Sequence, residues 1–220
     1  MPLRRSKGNM YPWCSHTWNP IFGRCSHQCA YCYMLNERRA LPELHFREKE
    51  MKTTLGSGRT IFVGSATDMF AHDVPGDWIA KVLYRCKLSP GNTYFFQSKN
   101  PGRFHICDFP PQTIFGTTIE SNRPYADSKA PSVHERASAM AHMKGKRRSV
   151  TIEPIMDFDM FDLVRLVLDC DPEFVSIGAD SKGHNLDEPS WAKVQDLIKR
   201  LKMFTEVRVK HNLGRLKGKT

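Results

Sequence analysis

Short apolar runs alternate with amphipathic stretches along most of this chain, and that alternation limits the fold most tightly. Thr60–Val63, Thr93–Gln97, Thr113–Thr117, Ser149–Ile152 and Phe174–Ile177 are continuous and rich in β-branched or aromatic residues; Glu206–Val209 is a sixth candidate. Runs of that kind suit strands buried on both faces. Between them, Trp78, Ile79, Val82 and Leu83 share one helix face. Met160, Leu163, Val164, Val167 and Leu168 share another. Trp191, Val194, Leu197, Ile198 and Leu201 share a third, with Asp187 or Ser190 placed to cap it. His134–Met143 reads as a weaker helix, and residues 31–43 as a further one. Strand–helix alternation at this spacing implies parallel βαβ units, and five or six units point to an incomplete or complete β/α barrel rather than a sandwich. The chain has 220 residues, enough for one large core, and no internal repeat or long linker divides it. A single domain over 1–220 is expected, with basic, flexible ends at 1–10 and 212–220.

In parallel β/α folds ligands bind at the C-terminal ends of the strands. Those ends are polar here: Gly64-Ser65-Ala66-Thr67-Asp68, Gln97-Ser98-Lys99, Thr117 to Asn122, Glu153-Pro154 and Gly178-Ala179-Asp180-Ser181. Any one of them reads equally well as a turn or helix cap. Five on one rim make a site.

Three of the seven cysteines crowd into the segment Cys25-Ser-His-Gln-Cys29-Ala-Tyr-Cys32. The other four, Cys14, Cys86, Cys107 and Cys170, are scattered and read as buried free thiols. An odd count without an apolar leader after Arg4 and Arg5 argues against a secreted disulfide scaffold and for a reducing cytoplasm. Three thiolates on one tight loop can hold an iron–sulfur cubane and leave one iron free of protein ligands. A structural zinc site wants four closed ligands, with Cys14, His16 or His27 as the fourth. The loop spacing and the missing second cysteine pair favour iron–sulfur.

Cys-x3-Cys-x2-Cys, with Tyr31 just before the last cysteine, resembles the signature of the radical S-adenosylmethionine superfamily. The resemblance implies a partial (β/α)6 barrel and a [4Fe–4S] cluster on Cys25, Cys29 and Cys32. It also implies reductive cleavage of S-adenosylmethionine, hydrogen abstraction by a 5′-deoxyadenosyl radical, and an electron donor such as flavodoxin or ferredoxin.

A wider resemblance rests on Thr17-Trp18-Asn19-Pro20, the cysteine motif with Tyr33, Phe62 to Phe70, Ser98-Lys99-Asn100-Pro101, Gly116 to Glu120 and Ile152-Glu153-Pro154. These segments are similar to phage and bacterial three-Cys-motif radical proteins, which are related to spore photoproduct lyase, a repair enzyme for a thymine dimer in DNA. The resemblance implies that Ser65, Lys99 and Thr118 hold S-adenosylmethionine. By charge, Lys99 suits its carboxylate and Asp68 its ammonium. Thr118, Glu120 or Ser121 suit the ribose hydroxyls, and Tyr31 the adenine. The catalytic candidates are Tyr33, Glu153 and Asp180, the last two suited to acid–base or hydrogen-bonding roles. Two features depart from the pattern: Val63 and Gly64 stand where the lyase carries its hydrogen-donor cysteine, and the Gly-Gly-Glu stretch of the superfamily is replaced by Gly64 to Asp68.

The formal net charge is +10, which favours an anionic partner, nucleic acid first. Lys144 to Arg148 and Arg208 to Lys219 offer phosphate contacts. Trp13, Trp18, Phe70 and Tyr125 are candidates to stack an unpaired or flipped base. With the phage-type resemblance, this points to a base in DNA, a modified thymine, rearranged by an isomerase that returns its hydrogen without a thiol, in the cytoplasm of a phage-infected host. A radical enzyme on a peptide or small metabolite and a zinc-stabilised nucleic-acid-binding module are the alternatives. No H-E-x-x-H motif is present, and no apolar run is long enough to span a membrane.

Overall fold

The computed structural model describes residues 3–35, 40–124 and 128–218. Its strands are β1 (Arg4–Arg5), β2 (His16–Trp18), β3 (Ile21–Phe22), β4 (His45–Phe46), β5 (Thr60–Val63), β6 (Thr93–Ser98), β7 (Thr113–Thr118), β8 (Arg147–Ile152), β9 (Phe174–Ile177) and β10 (Glu206–Val209). Its helices are α1 (Glu48–Met51), α2 (Gly76–Lys87), α3 (Val133–Ala141), α4 (Met160–Asp169) and α5 (Trp191–Leu201), with 3-10 turns over Pro101–Ile106 and His211–Leu216.

Eight strands form one sheet in the order β1-β2-β5-β6-β7-β8-β9-β10. From β2 to β10 every neighbouring pair is parallel; β1 alone runs antiparallel, on β2. The sheet curls without closing, so the fold is the partial β/α barrel expected. All six expected strands are present. β2 supplies a further parallel strand, and β3–β4 form a separate hairpin.

Successive side chains of these strands divide between two apolar layers. Ile61, Val63, Tyr94, Phe96, Val150 and Ile152 pack outward with the helices. Phe62, Phe95, Ile114 and Phe174 turn inward, where Tyr11 and Cys14 fill the barrel. Trp13 sets its edge against Phe95 and Phe174 at ring-centroid distances of 4.7 and 4.9 Å. Burial on both faces explains why these strands lack polar alternation.

The helices carry the caps their sequences offer. Ser132 and Glu135 form a reciprocal capping box on α3, and the Ser190 hydroxyl accepts from the Lys193 amide at the start of α5. The expected helix over 31–43 is not formed in its described part. Cys32 and Leu35 instead close hydrogen-bonded turns on Cys29 and Cys32, and residues 36–39 lie outside the described residues. The expected flexible ends contain ordered elements: β1 pairs with β2, and Leu213 and Leu216 are fully buried. Among the described residues no helix is long and apolar enough to cross a membrane.

Candidate active site

The β3–β4 hairpin brackets the cysteine loop and sets it beside the C-terminal ends of β5 and β6. Gly23 begins the loop at φ +127°, with the Glu43 carbonyl 2.3 Å from where a Cβ would stand. Only glycine fits that approach. The Thr67 hydroxyl then accepts from the Gly23 amide and donates to its carbonyl. Turns close from Gln28 to Cys25 and from Cys32 to Cys29, with Gln28 left-handed at φ +47°. All three thiols are free; Cys29 is buried, and Cys25 and Cys32 are half-buried. Burial, then the nearby Asp68 charge, pushes the Cys25 thiol up to about 12. Among the described residues no three His, Cys, Asp or Glu side chains converge as a single-ion site. The candidate fourth zinc ligands are otherwise engaged: Cys14 lies in the inner apolar layer, His16 bonds Ser15, and the His27 Nε2 faces Asp68 at 2.9 Å.

The Lys99 Nζ is 3.7 Å from the Cys29 Sγ, and Ser128 Oγ lies 3.2 Å from the same sulfur. Lys99 is the hub of a buried network. Its ammonium meets Glu120 Oε1 at 2.8 Å and donates to the Tyr31 hydroxyl at 3.0 Å. Tyr31 donates to Glu120 Oε1 at 2.5 Å, and Arg136 holds Glu120 Oε2 at 2.8 Å and the Thr118 carbonyl at 2.9 Å. Burial alone would raise the Glu120 carboxyl, but Lys99 and Arg136 bring it down to about 2. Burial opposes the Lys99 charge, yet Glu120 holds its ammonium well above the usual lysine range. The pair is therefore ionised, and its desolvation is offset by several charge-assisted bonds.

Asp68 is saturated. Its Oδ2 faces His27 Nε2 and accepts from the Ser98 hydroxyl and the Lys99 amide; its Oδ1 accepts from the Phe70 amide. Burial would raise this carboxyl, and the His27 bond and charge, with the two amides, keep it below the usual range. Ser65 exchanges hydrogen bonds with the Asn19 amide, and the Tyr33 hydroxyl donates to the Ser65 carbonyl. Thr118 Oγ accepts from Gln97, whose carbonyl oxygen accepts from Tyr11; Tyr11 also meets Thr151. The Ser121 hydroxyl donates to the Asp157 carbonyl.

Around the rim, Glu153 takes Lys210 at 2.6 Å and amide donors from Asn9 and Asn212. It packs over Gly178, where a Cβ would come within 2.7 Å of its Oε1. Gly178→Ala is therefore expected to displace Glu153 from Lys210. A stability loss of about 1–3 kcal/mol, the usual cost of overpacking, read as a fall in Tm against the parent, checks it. Asp180 stands apart from the thiol loop, its carboxylate bonded to the His184 ring and amide, in a cleft of about 510 Å³ with Asn9, Asn212 and Arg215.

The structure thus gathers Cys29, Tyr31, Lys99 and Glu120, ties Asp68 to them through Lys99, and leaves Asp180 outside. Arg136, His27 as a partner of Asp68, and Lys210 as the partner of Glu153 rather than of a phosphate are the roles that sequence reasoning missed. A buried arginine on a weak helix pattern gives no local signal. Of the proposed stacking residues, Trp18 and Phe70 are in the core and Trp13 packs inside the barrel; Tyr125 lies outside the described residues. The Lys144 to Arg148 cluster sits at the N-terminal end of β8, the far end of the sheet, where Arg147 pairs with Glu173 and Arg148 with Asp171.

Solved structures of spore photoproduct lyase share this fold. A double mutant with bound AdoMet and dinucleoside spore photoproduct is 14% identical, with TM-score 0.58 over 92% of this chain and 66% of that one. The lyase complexed with dinucleoside spore photoproduct gives the same identity and TM-score over 90% and 64%. This chain therefore spans just under two thirds of the length of those proteins, and at such identity the likeness shows the fold. No curated protein matches. The sequence profile of one family matches residues 9–199, and the chain belongs to that family, described as "Protein of unknown function (DUF5131)".

Proposed function

We propose that this chain is a radical S-adenosylmethionine enzyme acting on a base in DNA. The observation that carries the reading is a donor set: three free thiols on one turn-closed loop, with the Cys29 sulfur 3.7 Å from the Lys99 ammonium, at the C-terminal rim of an open parallel barrel. Three thiols without a fourth protein ligand suit a cubane, and the engagement of Cys14, His16 and His27 elsewhere counts against zinc. Cys25, Cys29 and Cys32 would hold a [4Fe–4S] cluster. When bound, that cluster would supply the electron for reductive cleavage of S-adenosylmethionine, and with it the radical chemistry that removes hydrogen from a substrate.

The chain's own residues bind and orient. Lys99 would receive the methionine carboxylate, exchanging part of its contact with Glu120 for it, and Tyr31 would serve the adenine. Ser65, Thr118 and Glu120 offer polar contacts to the rest of the cofactor. Ser121 is given over to the Asp157 carbonyl and Asp68 to four donors, so neither serves as a primary contact. Glu153, paired with Lys210 at 2.6 Å, is the candidate for orienting the substrate, with Tyr33 beside the loop.

The DNA substrate is supported by the net charge of +10 and by the fold shared with a lyase solved with a dinucleoside lesion. Val63 and Gly64, in place of a donor thiol, favour an isomerase-type rearrangement of a modified thymine over dimer repair. Anaerobic iron and sulfide reconstitution, then reductant and S-adenosylmethionine with phage DNA, tests the reading. 5′-Deoxyadenosine is expected, and its absence from a loaded protein overturns it. Lys99→Ala is expected to keep iron while S-adenosylmethionine binding in equilibrium dialysis weakens about 10-fold or more, on the scale of one charge-assisted bond. Unchanged binding removes the assignment of Lys99. Retention on DNA-cellulose that falls with salt separates a DNA substrate from a peptide or metabolite.

A further inference from the structure

The carboxylate that charge matching would give to the cofactor's ammonium is already committed, and what it holds is the thiol loop. We infer that His27 and Asp68 form a positioning pair that fixes the cysteine loop to the ends of β5 and β6 and sets it against Lys99. This rests on the cluster reading above and assigns the loop its anchor.

Four donors converge on one carboxylate. His27 comes from the middle of the Cys25–Cys29 segment, at 2.9 Å; Ser98 Oγ from the end of β6, at 2.9 Å; and the amides of Lys99 and Phe70 at 2.8 and 2.9 Å. His27 is 4% exposed, so water does not compete for the bond. The same residue is held from its other side, where its carbonyl accepts from the Lys129 amide at 2.7 Å. A segment with one left-handed residue, Gln28, and no regular ladder depends on such side-chain ties for its shape. Asp68 joins that segment to the backbone amide of Lys99, whose ammonium lies by Cys29. One carboxylate therefore fixes both the thiol spacing and the position of the cation beside it. Groups placed just outside a metal's ligands, which orient them, typically govern 10- to 100-fold of metal affinity. A carboxylate bound to the ammonium of S-adenosylmethionine would instead leave iron retention untouched when changed.

The test compares the parent with His27→Gln and Asp68→Asn, using His27→Leu if Asp68→Asn fails to fold. Two measurements are made on the full chain. In the apo protein, alkylation of Cys25, Cys29 and Cys32 by iodoacetamide is followed by peptide mass spectrometry. In the reconstituted protein, iron loss to a chelator and S-adenosylmethionine binding by equilibrium dialysis are followed. Both variants are expected to alkylate faster and to lose iron about 10- to 100-fold more readily than the parent. An Asp68→Asn protein that keeps its iron and loses only S-adenosylmethionine binding, with His27→Gln like the parent, overturns the inference and returns Asp68 to the ammonium. Parent-like alkylation in both variants overturns it too. A parent that takes up no iron, while the variants still alkylate faster, defeats the cluster reading and supports the anchor.

Discussion

Cys29→Ala is expected to leave the chain colourless after anaerobic reconstitution, with no 5′-deoxyadenosine formed. The loss should be complete, because a cubane held by three thiolates has no spare protein ligand. Cys29 is also the thiol most deeply set, in contact with Tyr31 and Met156 and within 3.7 Å of Lys99. Removing it therefore vacates the position next to the cation. Fold stability should change by only about 1 kcal/mol, the ordinary cost of a small substitution. Cys170→Ala is the control. Cys170 is fully buried beside the helices, where burial pushes its thiol up to about 12 and keeps it inert. That variant should load iron like the parent. Iron and sulfide per chain, the visible absorbance and chromatographic assay of 5′-deoxyadenosine check both. Parent-like iron in Cys29→Ala would end the three-thiol reading.

What the sequence made legible was whatever local chemistry encodes. Phe174–Ile177 and Glu206–Val209 read as strands because they are continuous β-formers flanked by turns, and the structure keeps those bounds. The triad of cysteines was legible because its meaning lies in spacing alone. His16–Trp18 was not, since three mixed residues beside Asn19-Pro20 carry no periodicity, and pairing with Ile61–Val63 on one side and Arg4–Arg5 on the other makes them a strand. The donors that converge on Asp68 were hidden for a related reason. Matching a carboxylate to an ammonium used charge alone, whereas His27, 41 positions away, reaches it only in the fold. Basic residues misled in the same way. Lys144 to Arg148 look like a phosphate patch in sequence, yet β8 begins there, so the strand direction carries them away from the rim, and Glu173 and Asp171 neutralise two of them. Trp18 and Phe70, proposed for stacking, went into the core because burial of a Trp or Phe side chain is worth more than an exposed platform.

Glu120→Gln is expected to destabilise the fold by about 3–5 kcal/mol, because it removes the one carboxylate between two buried cations. Lys99 is 2.8 Å from one oxygen and Arg136 2.8 Å from the other. A glutamine presents its carbonyl to one of them and its NH2 to the other, so a buried donor must face a donor. For a chain of this size that corresponds to a fall in Tm of roughly 6–20 °C at neutral pH. The pH dependence follows from the same geometry. The folded carboxyl titrates at about 2, below its ordinary value of 4.5. A group depressed in this way stabilises the fold fully above its unfolded pKa and loses that contribution as pH falls through the folded one. The gap between parent and variant should therefore be widest above pH 5 and narrow as pH drops from about 4.5 towards 2. Asp68 is depressed as well but is common to both proteins, so it cancels in the difference. Thermal melts by circular dichroism at pH 7 and pH 3 read it directly. A variant as stable as the parent at pH 7, or a gap that does not shrink in acid, would mean that Lys99 and Arg136 do not depend on Glu120 for their burial. The apo chain suffices for this measurement, which separates the architecture of the site from the chemistry proposed for it.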